Sequence, residues 1–510
     1  MGSDSSDFQA GTQLKSMNQK PRQVLVYARY YSTSYILIHV LRLLFSSFPK
    51  EVAGFHFHIV LDDRRDRDLI LSLLPSDRVT VHLQYDQLRP FDASRTWSPA
   101  TIARWEQQYG SPHLRSYILM ERALEGRPEA IKWPYLFSHI EYFEALCQRI
   151  QPALYVSGAA DGLNPWIGLA VFKGNGVPCL SFSPCRFGQR SFILDNPYEI
   201  LHLRDLYRRK LETGIGSKES EETAAIIAEY RSKEVRPVDH LAVRAMRRRK
   251  IPSPYSAISL VIRSCATDIG RYSDLPLKKA LGRAFRGRWT GIRNALLARH
   301  TISALPRDES FFFFPLQYEP EISLGTQGRG WVNQLKLARH ISDSLPIDRW
   351  LYIKEHPSML SGIRPLGFYR ALRALPRVRL IDQRVSSYEI IPKAEAVLTV
   401  TGTAGWEALM HRKPVVLFGH AFYEEFEEGV VKVDAVETLA ATLRGLRHVT
   451  IPEKAVQAYM AAVLEKAPEG IFIEPRVYPE ALNVVMSEQN LLGIGRVILD
   501  RLSRLNGIEK

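Results

Sequence analysis

Three short segments in the C-terminal half of the chain combine residue types that could do chemistry. Gln317-Tyr318-Glu319-Pro320-Glu321 sets an amide beside two carboxylates, groups that could exchange a proton or hold sugar hydroxyls. Acidic surface loops are common, and this segment alone fits that reading as well. Lys354-Glu355-His356-Pro357-Ser358 collects a cation, an imidazole and a hydroxyl, each a suitable phosphate partner, and the proline fixes the backbone behind the histidine. Thr401-Gly402-Thr403-Ala404-Gly405-Trp406-Glu407-Ala408-Leu409 reads as a Gly-rich turn entering a helix. Amides at that helix start, with the hydroxyls of Thr401 and Thr403, would make an anion site. Glu407 is expected in the first turn, where the helix dipole tolerates a carboxylate. A capping box would need Ser or Thr at position 404, where alanine stands, so a contact from Glu407 to a nucleotide ribose is favoured. No Walker lysine follows these glycines and no Gly-x-Gly-x-x-Gly pattern is present, which argues against a P-loop NTPase or a dinucleotide binder.

Each segment follows a predicted strand, at 310–316, 350–354 and 396–400, and a parallel sheet would bring the three loops to one edge. Further strands are expected at 378–381 and 414–418, with a helix over 333–345. The N-terminal half repeats the alternation: strands at 23–28, 55–61, 153–158 and 179–182, and a helix over 34–48. Strands alternating with helices imply α/β domains with parallel sheets. The loop 159–165, which contains Asp161, should open at the carboxyl edge of the first sheet. These signals divide the chain into a disordered tail (1–20), a first Rossmann-like domain (21–200) and a basic helical region (201–305). A second Rossmann-like domain (306–450) and closing helices (451–510) follow.

With 510 residues the chain is too long for one ordinary core, and 45% hydrophobic with 24% charged residues is usual for globular proteins. The net charge of +14 is concentrated between residues 244 and 299, where fourteen Lys and Arg face two acids. Such a stretch fits an anionic membrane surface, an acidic acceptor or nucleic acid, and equally a solvated helical face. No helix-turn-helix, zinc or ribonucleoprotein motif accompanies it, so nucleic acid is not the expected partner. Cys147, Cys179, Cys185 and Cys265 match no zinc or redox spacing. No apolar run is long enough to span a membrane, and the first twenty residues lack a secretory apolar region. A cytoplasmic protein is expected, with peripheral contact at the inner membrane through 244–299.

Taken together, the segment 311–423 resembles the capsule polysaccharide biosynthesis family, which includes bacterial Kdo transferases. The matching pieces are Gln317-Tyr318-Glu319, Lys354-Glu355-His356-Pro357, the run 401–409, Lys413-Pro414-Val415-Val416-Leu417-Phe418-Gly419 and Ala421-Phe422-Tyr423. The N-terminal half matches more loosely, through Gly176-Val177-Pro178 and the loop around Arg186 and Arg190. The resemblance implies a GT-B-like architecture, two Rossmann-type domains facing a cleft, with a nucleotide-sugar donor on the C-terminal one. The donor would be CMP-Kdo in the better-understood members. Donor-binding residues would then be Gln317, Lys354, His356, Ser358, Thr401, Gly402, Thr403, Gly405 and Glu407, with phosphate at His356, Ser358, Thr401 and Thr403 and ribose at Glu407. Glu319, Glu321 or Asp161 would serve as the catalytic carboxylate; Asp161 fits equally a turn residue before Gly162. No metal is required in this fold, no Asp-x-Asp motif is present, and no cofactor is implied beyond the nucleotide-sugar substrate. The acceptor would be a glycan or a lipid-linked glycan. A sugar-nucleotide epimerase and a non-catalytic capsule assembly or export factor are the competing readings.

Overall fold

A computed structural model describes residues 20–28, 31–61, 67–84, 88, 92–110, 113–121, 124, 126–158, 162–185, 187–194, 200, 202–232, 309–319, 322–356, 359, 364, 366–382, 385–473 and 482–506. Among the described residues twelve strands form two six-stranded sheets. The first holds β1 (Arg22–Ala28), β2 (Phe55–Leu61), β3 (Val79–Leu83), β4 (Leu154–Ser157), β5 (Cys179–Pro184) and β6 (Ser191–Leu194), ordered β3-β2-β1-β4-β5-β6. All neighbours are parallel except β5 and β6, which run antiparallel. The second holds β7 (Phe311–Pro315), β8 (Trp350–Lys354), β9 (Val378–Ile381), β10 (Ala396–Thr399), β11 (Val415–Leu417) and β12 (Val430–Lys432), all parallel, ordered β12-β11-β10-β7-β8-β9. Both are the doubly wound order of a Rossmann domain, as the alternation of strand and helix signals required. The fold is α/β and GT-B-like.

The run Phe311-Phe312-Phe313-Phe314 shows why β7 is central. A strand covered on both faces needs apolar residues at every position, and all four rings are buried. Phe312 and Phe314 join Leu337, Ile341 and Leu372 on one face of the sheet. Phe311 and Phe313 join Trp406, Leu409 and Tyr459 on the other.

The chain crosses between the domains twice. Helices Leu203–Thr213 and Ser217–Arg231 follow the first sheet in sequence but contribute Leu206, Tyr207, Ile227 and Tyr230 to the core of the second domain. There Trp406 Nε1 donates to the Tyr230 hydroxyl at 2.7 Å. The C-terminal helix Glu488–Leu505 returns to the first domain and buries Ile494, Ile498 and Leu502 against its sheet. A third contact joins helix Ile322–Gln327 to helix Leu114–Met120. It depends on Gly325, where a Cβ would lie 3.1 Å from the Met120 amide nitrogen. The basic stretch 244–299 and the tail through residue 19 lie outside the described residues. Among the described residues no helix is long and apolar enough to cross a membrane.

Candidate functional site

In the second sheet the chain winds one way from β7 to β8 and the other way through β10, so a crevice opens between the carboxyl ends of β7 and β10. Gln317 and Thr401 stand on its two sides. The Gln317 side chain is buried, and its Nε2 donates to Thr401 Oγ1 at 2.6 Å. The other amide atom, Oε1, is buried and has no hydrogen-bond partner. The Gln317 N–H donates to Gln334 Oε1 at 2.6 Å, and Gln334 Nε2 returns a bond to the Gln317 carbonyl at 3.1 Å.

Beyond Thr401, Gly402 is the N-cap of helix Thr403–Met410 and offers no side chain to its first amides. Its own N–H donates to Thr399 Oγ1 at 2.9 Å, and a Cβ at this position would lie 2.7 Å from that same oxygen. Glycine is thus required by close approach. The helix begins at Thr403, so Glu407 falls in its second turn, not in the first as the sequence suggested, and with Gly402 as cap position 404 is not the cap position on which the capping argument turned. Gly405 is also a packing requirement. The Tyr423 hydroxyl donates to the Gly402 carbonyl, and a Cβ on Gly405 would meet that hydroxyl at 2.3 Å.

The end of β8 and the loop after it supply Lys354, Glu355 and His356. Lys354 is buried, donates to Ser387 Oγ at 3.1 Å, and is pushed down to about 8 by burial against the opposing pull of Glu407 and Glu389. Burial, with the charges of Lys354 and Arg364, pushes His356 down to about 4. His356 is therefore a neutral imidazole at neutral pH rather than a cationic phosphate clamp. Its ring meets Tyr318 edge to face at 6.0 Å. Glu355 is buried and raised by that burial, and it accepts from the His356 N–H at 2.7 Å and from the Tyr369 hydroxyl at 2.6 Å.

Glu319, expected as a catalytic carboxylate, has both oxygens engaged: Oε1 by Gln334 Nε2, and Oε2 by Arg364 Nη1 at 2.6 Å. That geometry anchors a loop. Asp161, Glu321 and Ser358 lie outside the described residues. Of the other named residues, Lys354 ends β8, and Gln317, His356, Thr401, Gly402, Thr403, Gly405 and Glu407 belong to the loops after β7, β8 and β10 or to the helix that follows β10.

Two groups were not anticipated. Arg364 is buried and pairs with Glu319 and Glu355. His420 follows β11 at the same sheet edge. Its Nδ1 lies 3.1 Å from both oxygens of Glu424, and Lys432 pairs with the same carboxylate. Burial alone would raise Glu424, but hydrogen bonds from His420 and Lys432 carry it below its ordinary value. The His420 N–H donates to the Gln327 carbonyl at 2.8 Å, which ties this edge to the helix packed on the first domain. An i, i+4 His–Glu spacing just past a strand was the sequence signal available. At the carboxyl edge of the first sheet, Ser157 Oγ and Gln84 Nε2 are buried without partners on one face of the sheet.

No curated protein sequence matches the chain as a relative. Among solved structures, it is similar to the beta Kdo 2,7 transferase of Thermosulfurimonas dismutans KpsC at 14% identity, covering 72% of this chain and 90% of that one, with a TM-score of 0.35. The beta Kdo 2,4 transferase of the same protein gives 13% identity over 62% and 82%, with a TM-score of 0.32. The UDP-GlcNAc 2-epimerase of Methanocaldococcus jannaschii gives 10% identity over 87% and 98%, with a TM-score of 0.24. Likenesses this remote add nothing to the strand orders above. Residues 271–438 match the profile of the capsule polysaccharide biosynthesis proteins, a span that contains Gln317, Lys354, His356, Thr401 and His420.

Proposed function

We propose that this chain is a metal-independent glycosyltransferase of capsule or surface polysaccharide assembly. It takes a sugar from a nucleotide-sugar donor, with CMP-Kdo the candidate suggested by the family, and passes it to a glycan or lipid-linked acceptor. One observation carries the reading: the uncapped start of helix Thr403–Met410 lies beside Gln317, whose buried Oε1 has no partner, at the switch point of a doubly wound sheet. Helix-start amides and the hydroxyls of Thr401 and Thr403 suit a phosphate, and a buried orphan acceptor suits a ligand N–H or O–H.

In the reaction the bond between the anomeric carbon and the phosphate oxygen breaks, and its electron pair leaves on the phosphate. Helix-start amides, Lys354 and a hydrogen bond from neutral His356 stabilise that charge, while Glu407 takes the ribose. The acceptor hydroxyl attacks the anomeric carbon and gives up its proton to a base. Asp161 and Glu321 remain candidates for that base. His420, oriented by Glu424, is a further one.

Calorimetry with CMP, UDP and GDP on the wild type and His356→Ala tests the reading. CMP binding that vanishes in the variant supports a CMP-sugar transferase. UDP or GDP binding keeps the site and discards Kdo, and no nucleotide binding favours a non-catalytic assembly factor. Residues 244–299 would hold the enzyme to an anionic inner membrane surface. Vesicle binding that survives reversal of Arg247, Arg248 and Arg249 to Glu would sink that part.

A further inference from the structure

We infer that Arg364 is the positioning residue of this site, the side chain that sets the loops after β7, β8 and β10 relative to one another. The inference rests on the donor-site reading above. The guanidinium is 2% exposed and uses three edges. Nη1 donates to Glu319 Oε2 at 2.6 Å, Nη2 donates to the Gln317 carbonyl at 2.6 Å, and Nε lies 2.8 Å from Glu355 Oε2. Its flat face covers the Phe368 ring, 4.5 Å from the centroid.

Each contact leads on to a loop. Gln317, held by its carbonyl, reaches Thr401 through its amide. Glu355, held by one oxygen, fixes the backbone N–H of His356 with the other. Every donor-side loop is therefore within a few contacts of one buried cation, which is too enclosed to touch a ligand itself. Only a planar guanidinium presents donors in three directions from one plane; a lysine ammonium at the same place would be a point charge. The alternative role is simple charge compensation, since Glu355 without Arg364 would be a buried carboxylate without a counter-ion.

The two roles separate in Glu355→Gln/Arg364→Met, which removes the buried charge and its partner together. A positioning role predicts a folded protein with near wild-type Tm that binds the wild type's preferred nucleotide at least tenfold more weakly. Arg364→Lys keeps the charge without the fork and should show the same loss, so the test stands if the double variant does not fold. Wild-type affinity in either folded variant would overturn the proposal. Hydrogen exchange supplies a readout that needs no nucleotide. The amides of Gln317 and His356 should exchange at least tenfold faster in Arg364→Lys while β7 and β8 stay protected. Unchanged exchange there overturns the positioning role even if the wild type binds no nucleotide, an outcome that would by itself count only against the donor-site reading.

Discussion

Gln317 and Thr401, 84 residues apart in sequence, meet at 2.6 Å through side-chain amide and hydroxyl, and this contact links the loops after β7 and β10. Thr401→Val keeps the shape and removes the hydroxyl. The Gln317 amide would then lose its one side-chain partner in a buried setting, a change worth about 1–3 kcal/mol. Nucleotide affinity should fall by roughly tenfold, or about 1.4 kcal/mol, and Tm should drop by a few degrees. Calorimetry on the variant checks this, and an unaltered affinity would remove Thr401 from the site.

Lys354 sets a pH limit. Its buried ammonium titrates at about 8, well below an ordinary lysine. Donor phosphate should therefore bind well at neutral pH, where Lys354 is mostly charged, and weaken as pH rises through about 8. Lys354→Met should bind weakly and flatten the profile between pH 7 and 9. A wild-type affinity that stays constant across this range would show that Lys354 does not face the anion.

Gly405 and Tyr423 should couple. Gly405→Ala drives a methyl toward the Tyr423 hydroxyl, 2.3 Å away, and should cost about 1–3 kcal/mol as overpacking does. Tyr423→Phe alone loses the hydrogen bond to the Gly402 carbonyl, about 1 kcal/mol. The double variant should recover part of the summed loss, because the nearest colliding atom is gone while the ring carbon Cζ, at 2.7 Å, still crowds the methyl. Additive losses in thermal melts would contradict the crowding.

The edge of the first sheet should fail in acid. His58 Nδ1 lies 2.9 Å from His82 Nε2, and His58 Nε2 lies 2.7 Å from Gln23 Oε1, a chain that needs neutral rings. Burial first, with Arg149 and neighbouring histidines, pushes both down to about 4. The unfolded rings take protons near 6.5, so the folded state holds fewer protons between that value and about 4. Stability from this pair is present above pH 6.5 and is lost as pH falls through that window. His82→Gln should flatten the decline of Tm with acid, and an unchanged slope would argue against the pair.

Much of this protein was legible in its sequence. Alternating apolar runs and helical stretches gave two parallel sheets, and 55–61, 350–354 and 378–381 are strands at the expected residues. The physical reason is local: a run such as Phe311-Phe312-Phe313-Phe314 has nowhere to go but the middle of a sheet covered on both faces. Loops that follow parallel strands must share an edge, so the sequence alone groups Gln317, Lys354, His356 and Thr401.

Tertiary structure decided the rest. β3, β6 and β12 are strands of three to five residues whose pairing, more than their composition, makes them strands. That the helices of 203–231 complete the second domain's core, and that the last helix returns to the first domain, follows from burial across hundreds of residues, which no local pattern encodes. The same holds for charge. Glu319 reads as a free carboxylate in sequence and becomes an anchor only because Arg364 arrives from 45 residues away. His356 reads as an imidazole suited to phosphate, and it is neutral because burial and two neighbouring charges make it so. Sequence fixes which groups can be present at an edge; the packing around them determines which stay charged, which are tied, and which are left to meet a ligand.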